Sequence, residues 1–312
     1  MTLIGGEFLP MIIENFWKGV VRMLLGEACE RFNDYLESID RSPMTIERYS
    51  RDMIFIRKYL EEKANGPVFV DEITEKDLED FMKYLKDVRQ FAPSSRSRYF
   101  YTLRSFYKFA TKKDIVEKDI AAKLDTIKMP QKERVYLTEE EVVQVADAID
   151  IYLIKLIVLF LFNTGLRISE CRDLKLEDVD LEKRIVYVIE GKNKKDRVVP
   201  INNNLYELLV DYIENHRDAP ESDYFFATSQ SGKGSISYPH ISLTLREAAQ
   251  KAGIKKQVTC HILRHSFASA LVKKKVGLVE IQKLLGHSNL TVTSIYTHTS
   301  MDALSEAVNT LN

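Results

Sequence analysis

Six side chains in the C-terminal half of the sequence could together bind and attack a phosphodiester: Arg167, Lys192, His261, Arg264, His287 and Tyr296. Cleavage of a phosphodiester adds negative charge to the non-bridging oxygens in the transition state, and preorganised cations stabilise that charge. Arginine suits this role because its planar guanidinium can bind two oxygens at once. A tyrosine hydroxyl can act as the nucleophile, so this set of residues predicts an attack that needs no metal ion.

The local sequence around these residues gives each of them two interpretations. A lone arginine is usually in a surface ion pair, and a lone histidine or tyrosine is usually structural. Arg167 follows a Thr-Gly pair near a predicted helix start, where backbone N–H groups favour an anion. His261 and Arg264 are three residues apart on a predicted helix and share a face, while we expect His265 to make a supporting buried hydrogen bond. Lys192 lies in a predicted turn among further basic residues, Lys194, Lys195 and Arg197.

Five segments in a fixed order resemble the signature of the tyrosine recombinase family, and the Xer branch, which resolves chromosome dimers, is most similar. The segments are 164–170, 191–200, 261–268, 285–289 and 295–298. The resemblance extends from residue 32 to the C-terminus, and the ordered set is far more specific than any single motif. The sequence departs from the family at Cys260, often a proline, and at Asn193, often a glycine. Neither position carries a catalytic side chain.

The resemblance implies a covalent mechanism. Tyr296 would attack the scissile phosphate, form a 3′-phosphotyrosyl bond and free a 5′-hydroxyl, while Arg167 and Arg264 clamp the phosphate. A tyrosine with the usual pKa of about 10 must lose its proton during the attack. The covalent intermediate conserves the energy of the broken bond, so rejoining needs no ATP.

The remaining three side chains are assigned to proton transfer and hydrogen bonding by the same resemblance. Lys192 would protonate the leaving 5′-oxygen, and its place in a hairpin would let it enter the minor groove. His261 would assist proton transfer at the tyrosine, in keeping with the pKa range of histidine. His287 would donate a hydrogen bond to a non-bridging oxygen. We therefore expect no cofactor and no metal ion.

The pattern of apolar residues predicts a mainly α-helical protein of two domains with a small β-hairpin formed by 184–189 and 197–201. The N-terminal domain resembles the helical, SAM-like core-binding domain of the family, and the second its catalytic domain. We predict an N-terminal extension, a DNA-clamp domain, a linker, a catalytic domain and a C-terminal helix for contact between protomers, over 1–26, 27–124, 125–137, 138–300 and 301–312.

A predicted helix over 93–113 is basic and rich in aromatic residues, and residues 88–113 contain no acidic side chain. Most of its aromatic residues are expected in the core. Its basic face is either simply solvated or contacts DNA phosphates, and we favour the second interpretation. The predicted DNA-binding residues are those of this helix and of the hairpin: Arg96, Arg98, Arg104, Lys108, Lys194, Lys195 and Arg197.

Overall composition limits these interpretations. The chain has 45 Lys and Arg against 46 Asp and Glu, so a nucleic-acid partner is indicated by local patches alone. Its three cysteines form no CxxC pair, which favours a reduced, cytoplasmic protein. The first 26 residues lack the features of a signal peptide, and no run reaches membrane-spanning length.

The sequence thus predicts a site-specific recombinase that resolves chromosome or plasmid multimers. Its partners would be double-stranded DNA with a specific recombination site and further copies of the chain, as a dimer or tetramer joined by the C-terminal helix. The alternatives are an integrase of a mobile element, a type IB topoisomerase, which the compact length disfavours, and a DNA-binding protein without catalysis. A metal-dependent nuclease is disfavoured because the sequence has no His and Asp cluster with the spacing of metal ligands.

Overall fold

The computed structural model describes residues 22–130, 135–189, 196–229 and 234–286. The chain divides between residues 132 and 133 into two units, and each unit has an apolar core of its own. The predicted fold class, mainly α-helical with a small sheet and two domains, is confirmed. The N-terminal extension and the C-terminal helix that we predicted lie almost entirely outside the described residues.

The described part of the N-terminal unit consists of four helices and two short 3₁₀ turns. The helices are α1 (Leu25–Ser38), α2 (Pro43–Ala64), α3 (Glu75–Asp87) and α4 (Pro93–Lys112), and the turns are Val70–Glu72 and Ile120–Lys123. After α4, residues 115–124 form only that last 3₁₀ turn. Asp114 before it adopts a left-handed conformation with φ of 55°, which interrupts helical geometry.

Side chains cap two of the helix starts in this unit. Pro43 occupies the first turn of α2, and the Ser42 side chain accepts a hydrogen bond from the backbone N of Thr45 at 3.3 Å. Thr74 and Asp77 form a reciprocal capping box at the start of α3. These caps satisfy backbone N–H groups that the first turn of a helix leaves without partners.

Aromatic side chains fill the N-terminal core, as predicted. On α4 the buried aromatic residues are Tyr99, Phe100, Phe106, Tyr107 and Phe109, and Phe106 packs edge-on against Phe32 of α1. Tyr101 is exposed. Buried edge-to-face pairs of this kind stabilise a core beyond their buried area.

The C-terminal unit contains seven described helices and one small sheet. The helices are α5 (Glu139–Asp147), α6 (Tyr152–Thr164), α7 (Ile168–Asp173), α8 (Asn203–Asp211), α9 (Tyr238–Lys251), α10 (Cys260–Lys273) and α11 (Leu278–Leu285). Helix α6 is the most apolar and lies in the core, in keeping with its nearly continuous apolar sequence. Among the described residues no helix could cross a membrane.

The sheet has three antiparallel strands in the order β1 (Val179–Asp180), β2 (Ile185–Val188) and β3 (Arg197–Pro200). The predicted hairpin is formed by β2 and β3, whose last pair before the connection is Val188 with Arg197. Strand β1 was not predicted, because two residues are too short for an alternating pattern. The connection between β2 and β3 carries Lys192, which lies outside the described residues.

Candidate active site

Arg167 is positioned by a sharp turn between α6 and α7. Helix α6 ends at Gly165, whose φ of 65° is left-handed. A Cβ at Gly165 would clash with the Phe267 ring and lie 3.0 Å from Cδ2 of Leu285, so only glycine fits. The chain then reverses, and Arg167 becomes the N-cap of α7. The predicted helix start is therefore present.

The anion at this helix start is a side chain of the protein itself. The backbone N of Arg167 donates to Oε2 of Glu170 at 2.7 Å, and Nη1 of Arg167 donates to Oε1 at 2.5 Å. The sequence suggested that backbone N–H groups here could bind a phosphate. Instead, that of Arg167 is taken up by the carboxylate three residues later, in the reciprocal arrangement of a capping box.

Glu170 is the centre of a cluster that contains three arginines. Besides Arg167, it accepts from Arg197 of β3, with Nη2 at 2.7 Å from Oε2 and Nη1 at 3.3 Å from Oε1. Nη1 of Arg264 lies 4.0 Å from Oε2. Three guanidiniums thus lie around one carboxylate in a largely enclosed place, and a guanidinium is well suited to bind the oxygens of an anion such as phosphate. The sequence did not identify Glu170, although its spacing from Arg167 is that of a capping box.

Arg264 is buried on α10 and ties two turns of the backbone together. Its Nη1 donates to the carbonyl oxygen of Gly165 at 2.7 Å, and its Nη2 donates to that of Leu285 at 2.5 Å. Arg167 is less enclosed, with 29% of its side chain exposed. Of these two arginines, Arg167 presents the more accessible guanidinium, while Arg264 also fixes the geometry around it.

His261 lies one helical turn before Arg264 on α10 and is exposed. Helix α10 begins at Cys260, and the Thr259 side chain caps it by accepting from the backbone N of Ile262 at 3.3 Å. The structure therefore brings Arg167 and Arg264 together and places His261 on the same helix, as predicted from the spacing. His265 is half-buried.

Cys260 is a buried neighbour of this site. Burial raises the pKa of its thiol to about 11, so the thiol is protonated at neutral pH and is a weak nucleophile. Among the described residues no group of His, Cys, Asp and Glu could hold a metal ion.

The other three predicted catalytic residues and two predicted DNA contacts fall outside the described residues: Lys192, His287, Tyr296, Lys194 and Lys195. Two of their flanking positions are described. Arg197 and Val188 mark the two ends of the segment that contains Lys192. Gly286, which ends α11 in a left-handed conformation, directly precedes His287 in the sequence.

Arg197, which we predicted to contact DNA, faces inward. Only 7% of its side chain is exposed. Besides its two contacts with Glu170, its Nε donates to the carbonyl oxygen of Leu284 at 2.9 Å. A guanidinium bound in this way is poorly placed for a phosphate on the surface of the unit.

The basic residues of α4 divide into outward and inward groups. One stripe of the helix is exposed or half-exposed and contains no acid: Ser94, Arg98, Tyr101, Ser105, Lys108 and Lys112. Of our predicted DNA contacts, Arg98 and Lys108 lie on this stripe. Arg104 is half-buried and its Nη1 donates to the carbonyl oxygen of Ala121 at 3.1 Å, so it ties α4 to the 3₁₀ turn. Arg96 is half-buried, and its Nε is enclosed.

Arg98 is held from below by a buried carboxylate of α2. Its Nη2 lies 2.9 Å from Oδ1 of Asp52, and 46% of its side chain is exposed. Oδ2 of Asp52 accepts from the Thr102 hydroxyl at 3.1 Å, and the Arg98 guanidinium lies 4.8 Å from the centroid of the Tyr99 ring. These contacts orient a guanidinium that still reaches solvent.

Comparison with known proteins gives matches over both units. Residues 135–303 match the phage integrase family, and residues 29–114 match the phage integrase N-terminal SAM-like domain. The tyrosine recombinase XerA of Pyrococcus furiosus is 35% identical over 296 residues, covering 93% of this chain and 96% of that protein. The tyrosine recombinase XerC of Lactobacillus delbrueckii subsp. bulgaricus is 32% identical, covering 88% and 95%.

A solved structure of a lambda integrase tetramer bound to a Holliday junction has the same fold. It matches with a TM-score of 0.73 at 18% identity, covering 92% of this chain and 84% of that one.

Proposed function

The chain belongs to the phage integrase family of tyrosine recombinases, and we propose that it is a site-specific recombinase that cleaves and rejoins DNA through a 3′-phosphotyrosyl intermediate. The observation that carries this proposal is the convergence of Arg167 and Arg264, from two distant parts of the sequence, on one carboxylate. Such a cluster gives a positive, preorganised site for a phosphate. The sequence supplies the nucleophile, Tyr296, in the motif expected of the family.

In the proposed reaction, the Tyr296 oxygen attacks phosphorus and the bond from phosphorus to the 5′-oxygen breaks. Arg167 contacts the phosphate, and Arg264 adds its charge while it holds the turn at Gly165 in place. Lys192 gives a proton to the leaving 5′-oxygen. The exposed His261 assists removal of the tyrosine proton and His287 donates to a non-bridging oxygen. Every group in this scheme is an amino-acid side chain, and strand rejoining is the same chemistry in reverse.

DNA binding is assigned to both units in this proposal. The outward stripe of α4, with Arg98 and Lys108, offers cations and hydroxyl groups to phosphates and has no carboxylate to repel them. Lys194 and Lys195 extend the contact from the β2–β3 connection. A lambda integrase tetramer assembles on a Holliday junction. We propose a dimer or tetramer on DNA here too, since exchange between two duplexes requires four strand cleavages.

The finer assignment rests on the XerA and XerC relatives. We propose that this chain acts in the cytoplasm on a specific double-stranded site and resolves chromosome or plasmid multimers. We also propose the domain organisation set out above, with 27–124 as the DNA clamp, 138–300 as the catalytic domain and 301–312 as the helix that contacts a neighbouring protomer.

The test is covalent trapping on a nicked duplex that carries a candidate chromosomal recombination site, in the presence of EDTA. Cleavage next to the nick releases a short fragment that carries the free 5′-hydroxyl. Because this fragment diffuses away, the phosphotyrosyl adduct accumulates, and it migrates slowly on a denaturing gel. We expect an adduct with the unaltered chain, none with Tyr296→Phe, and a strongly reduced yield with Arg167→Ala. Specific binding to a site without any adduct would contradict the proposal, and an adduct that persists in Tyr296→Phe would name another nucleophile.

A further inference from the structure

We propose that Arg197 is a positioning residue, which anchors the Lys192-bearing segment to Glu170 and to the end of α11. The inference rests on the proposed function, because it assigns to Arg197 the task of placing the general acid of that reaction. Arg197 would act through Lys192 and would not touch the DNA.

The contacts of Arg197 occupy all three nitrogens of its guanidinium. Two nitrogens form a bidentate pair with the carboxylate of Glu170, at 2.7 and 3.3 Å, and the third donates to the Leu284 carbonyl oxygen at 2.9 Å. The planar geometry of these contacts fixes the orientation of the guanidinium as well as its position. A lysine could supply the charge but could not make this set of contacts.

Arg197 lies at the base of the connection between β2 and β3. It pairs with Val188 in the last rung of the ladder before the connection, and Val188 is buried. Lys192 lies within the eight residues that join these two positions. Fixing both ends of a short connection limits the positions that its residues can adopt.

Arg197 also joins the hairpin to the end of α11. Leu284 and Leu285 are the last residues of α11, and their carbonyl oxygens accept from Arg197 and Arg264 respectively. The stem of Arg197 also packs on Gly286, where a Cβ would lie 3.1 Å from the Arg197 Cδ. Carbonyl groups at a helix end need such partners. The Arg197 side chain therefore connects three parts of the site: the base of the hairpin, Glu170, and the end of the helix that precedes His287 in the sequence.

The experiment compares two cleavage substrates that differ in one atom. One is the nicked duplex with its natural phosphodiester, and in the other sulfur replaces the bridging 5′-oxygen. In both, the tyrosine oxygen forms a bond to phosphorus. In the first, the bond to the 5′-oxygen breaks and that oxygen takes a proton from Lys192. In the second, the bond to sulfur breaks and the 5′-thiolate leaves as a stable anion without needing the proton.

We expect Arg197→Met to form the adduct about 100-fold more slowly on the natural substrate, the usual scale for a misplaced catalytic group, and to recover most of that loss on the sulfur substrate. Lys192→Ala should show the same selective recovery. Arg197→Lys should fall between Arg197→Met and the unaltered chain. The ratio of the two rates does not depend on the fraction of protein that is folded or bound, so a purely structural role would not move it.

The matched control is Arg184→Met. Arg184 lies at the opposite end of β2, where its Nη1 donates to Oδ1 of Asn203 at the surface at 2.8 Å. We expect its cleavage rates on both substrates to equal those of the unaltered chain.

The outcomes separate the two proposals. No adduct with the unaltered chain would overturn the proposed function, and this inference with it. An adduct with the unaltered chain, together with equal loss on both substrates for Arg197→Met, would overturn the inference alone. Full activity of Arg197→Met would also overturn it. So would weaker DNA binding with a salt dependence reduced by one phosphate contact, since that is the signature of a direct DNA ligand.

Discussion

Glu170 and Asp52 are largely enclosed carboxylates, with 9% and 3% of their side chains exposed. One lies in each unit of the chain, and each of them binds arginine. They differ in how exposed their bound arginines are. Glu170 binds Arg197, of whose side chain 7% is exposed, and lies close to the buried Arg264, whereas Asp52 binds Arg98, which is nearly half exposed. The first arrangement joins elements inside a site. The second holds one end of a guanidinium and leaves the rest at the surface.

The same kind of ion pair therefore serves a different purpose in each unit. Removing one partner of a buried pair leaves an uncompensated charge and is strongly destabilising. An arginine at the surface can instead turn to water when its partner is removed. We therefore expect the catalytic unit to depend on its carboxylate for both stability and chemistry, and the N-terminal unit to depend on its own mainly for the orientation of one DNA contact.

The largest effect is expected for Glu170→Gln. The variant keeps the shape of the side chain but leaves the buried arginine cluster without its negative charge, and loss of one partner of a buried pair costs about 3–5 kcal/mol. The free energy of unfolding, measured with urea, should fall by that amount, and adduct formation should be lost. A fall of less than about 1 kcal/mol, the scale of a surface pair, would remove the distinction between the two carboxylates.

Asp52→Asn should cost less, about 1–3 kcal/mol, the scale for a buried hydrogen-bonded group that loses a charged partner. The Thr102 hydroxyl can still bond to the amide oxygen, and Arg98 can turn to solvent. Urea unfolding gives the stability, and a filter-binding assay gives the affinity for DNA. We expect weaker DNA binding with an unchanged rate of cleavage from the bound complex. A reduced rate of that step would show that Asp52 also affects the chemistry.

The alkylation rates of the cysteines can show which unit each variant destabilises locally. Burial raises the pKa of Cys29 in the N-terminal unit to about 12 and that of Cys260 in the C-terminal unit to about 11. A thiol reacts as the thiolate, so both should be alkylated slowly by iodoacetamide at pH 8 in the native state. We expect Asp52→Asn to accelerate alkylation at Cys29 about 10-fold, as a local loss of about 1.4 kcal/mol would, and Glu170→Gln to accelerate it at Cys260. Peptide mass spectrometry identifies the alkylated cysteines. If either variant accelerated alkylation at both Cys29 and Cys260, the two cores would not be independent.

The same pKa shifts give a sign for the pH dependence of stability. A thiol with a raised pKa in the folded state favours folding while it is protonated, and that contribution is lost as pH rises. For Cys260, it is complete below the unfolded pKa of 9.0 and disappears towards about 11. The free energy of unfolding should therefore decrease between these pH values, and a Cys260→Ser variant should show a shallower decrease.

The smallest effect concerns single phosphate contacts. Arg98→Met and Lys108→Met should each lower the slope of log affinity against log salt concentration by about 0.9, the value for one phosphate of duplex DNA. Arg104→Met is the matched control on the same helix, because its guanidinium is bound to the Ala121 carbonyl oxygen, and its slope should not change. An equal change for all three would mean that the exposed stripe is not the DNA-facing side of α4.

Sequence patterns anticipated the elements better than the direction of individual charges. The hairpin, the aromatic core face of α4 and the placement of His261 and Arg264 on one helix all follow from regular spacing along the chain. The helical spacing of α4 also indicates which of its basic residues are exposed. Positions 94, 98, 101, 105, 108 and 112 recur at the helical period, so a strict reading of α4 places Arg104 and Arg96 beside the exposed stripe and not on it.

Arg197 and Glu170 show what spacing could not provide. Arg197 belongs to a run of basic residues in a hairpin, and a strand alternates its side chains between two faces without saying which face meets the core. Its partners, Glu170 and Leu284, are 27 and 87 residues away. Only the packing of α7, β3 and α11 brings them together, and that packing is tertiary information.

The turn at Gly165 has a consequence for how such a protein can change over evolutionary time. A side chain there would displace Phe267, which lies on the same helix as Arg264 and His261. Substitutions that alter target preference are therefore expected to accumulate on the outward stripe of α4, where neighbours are few, and to be purged from the turn. A mutational library selected for a new DNA site should return variation along that stripe and almost none at Gly165, so that new specificity can arise while the chemistry stays constant.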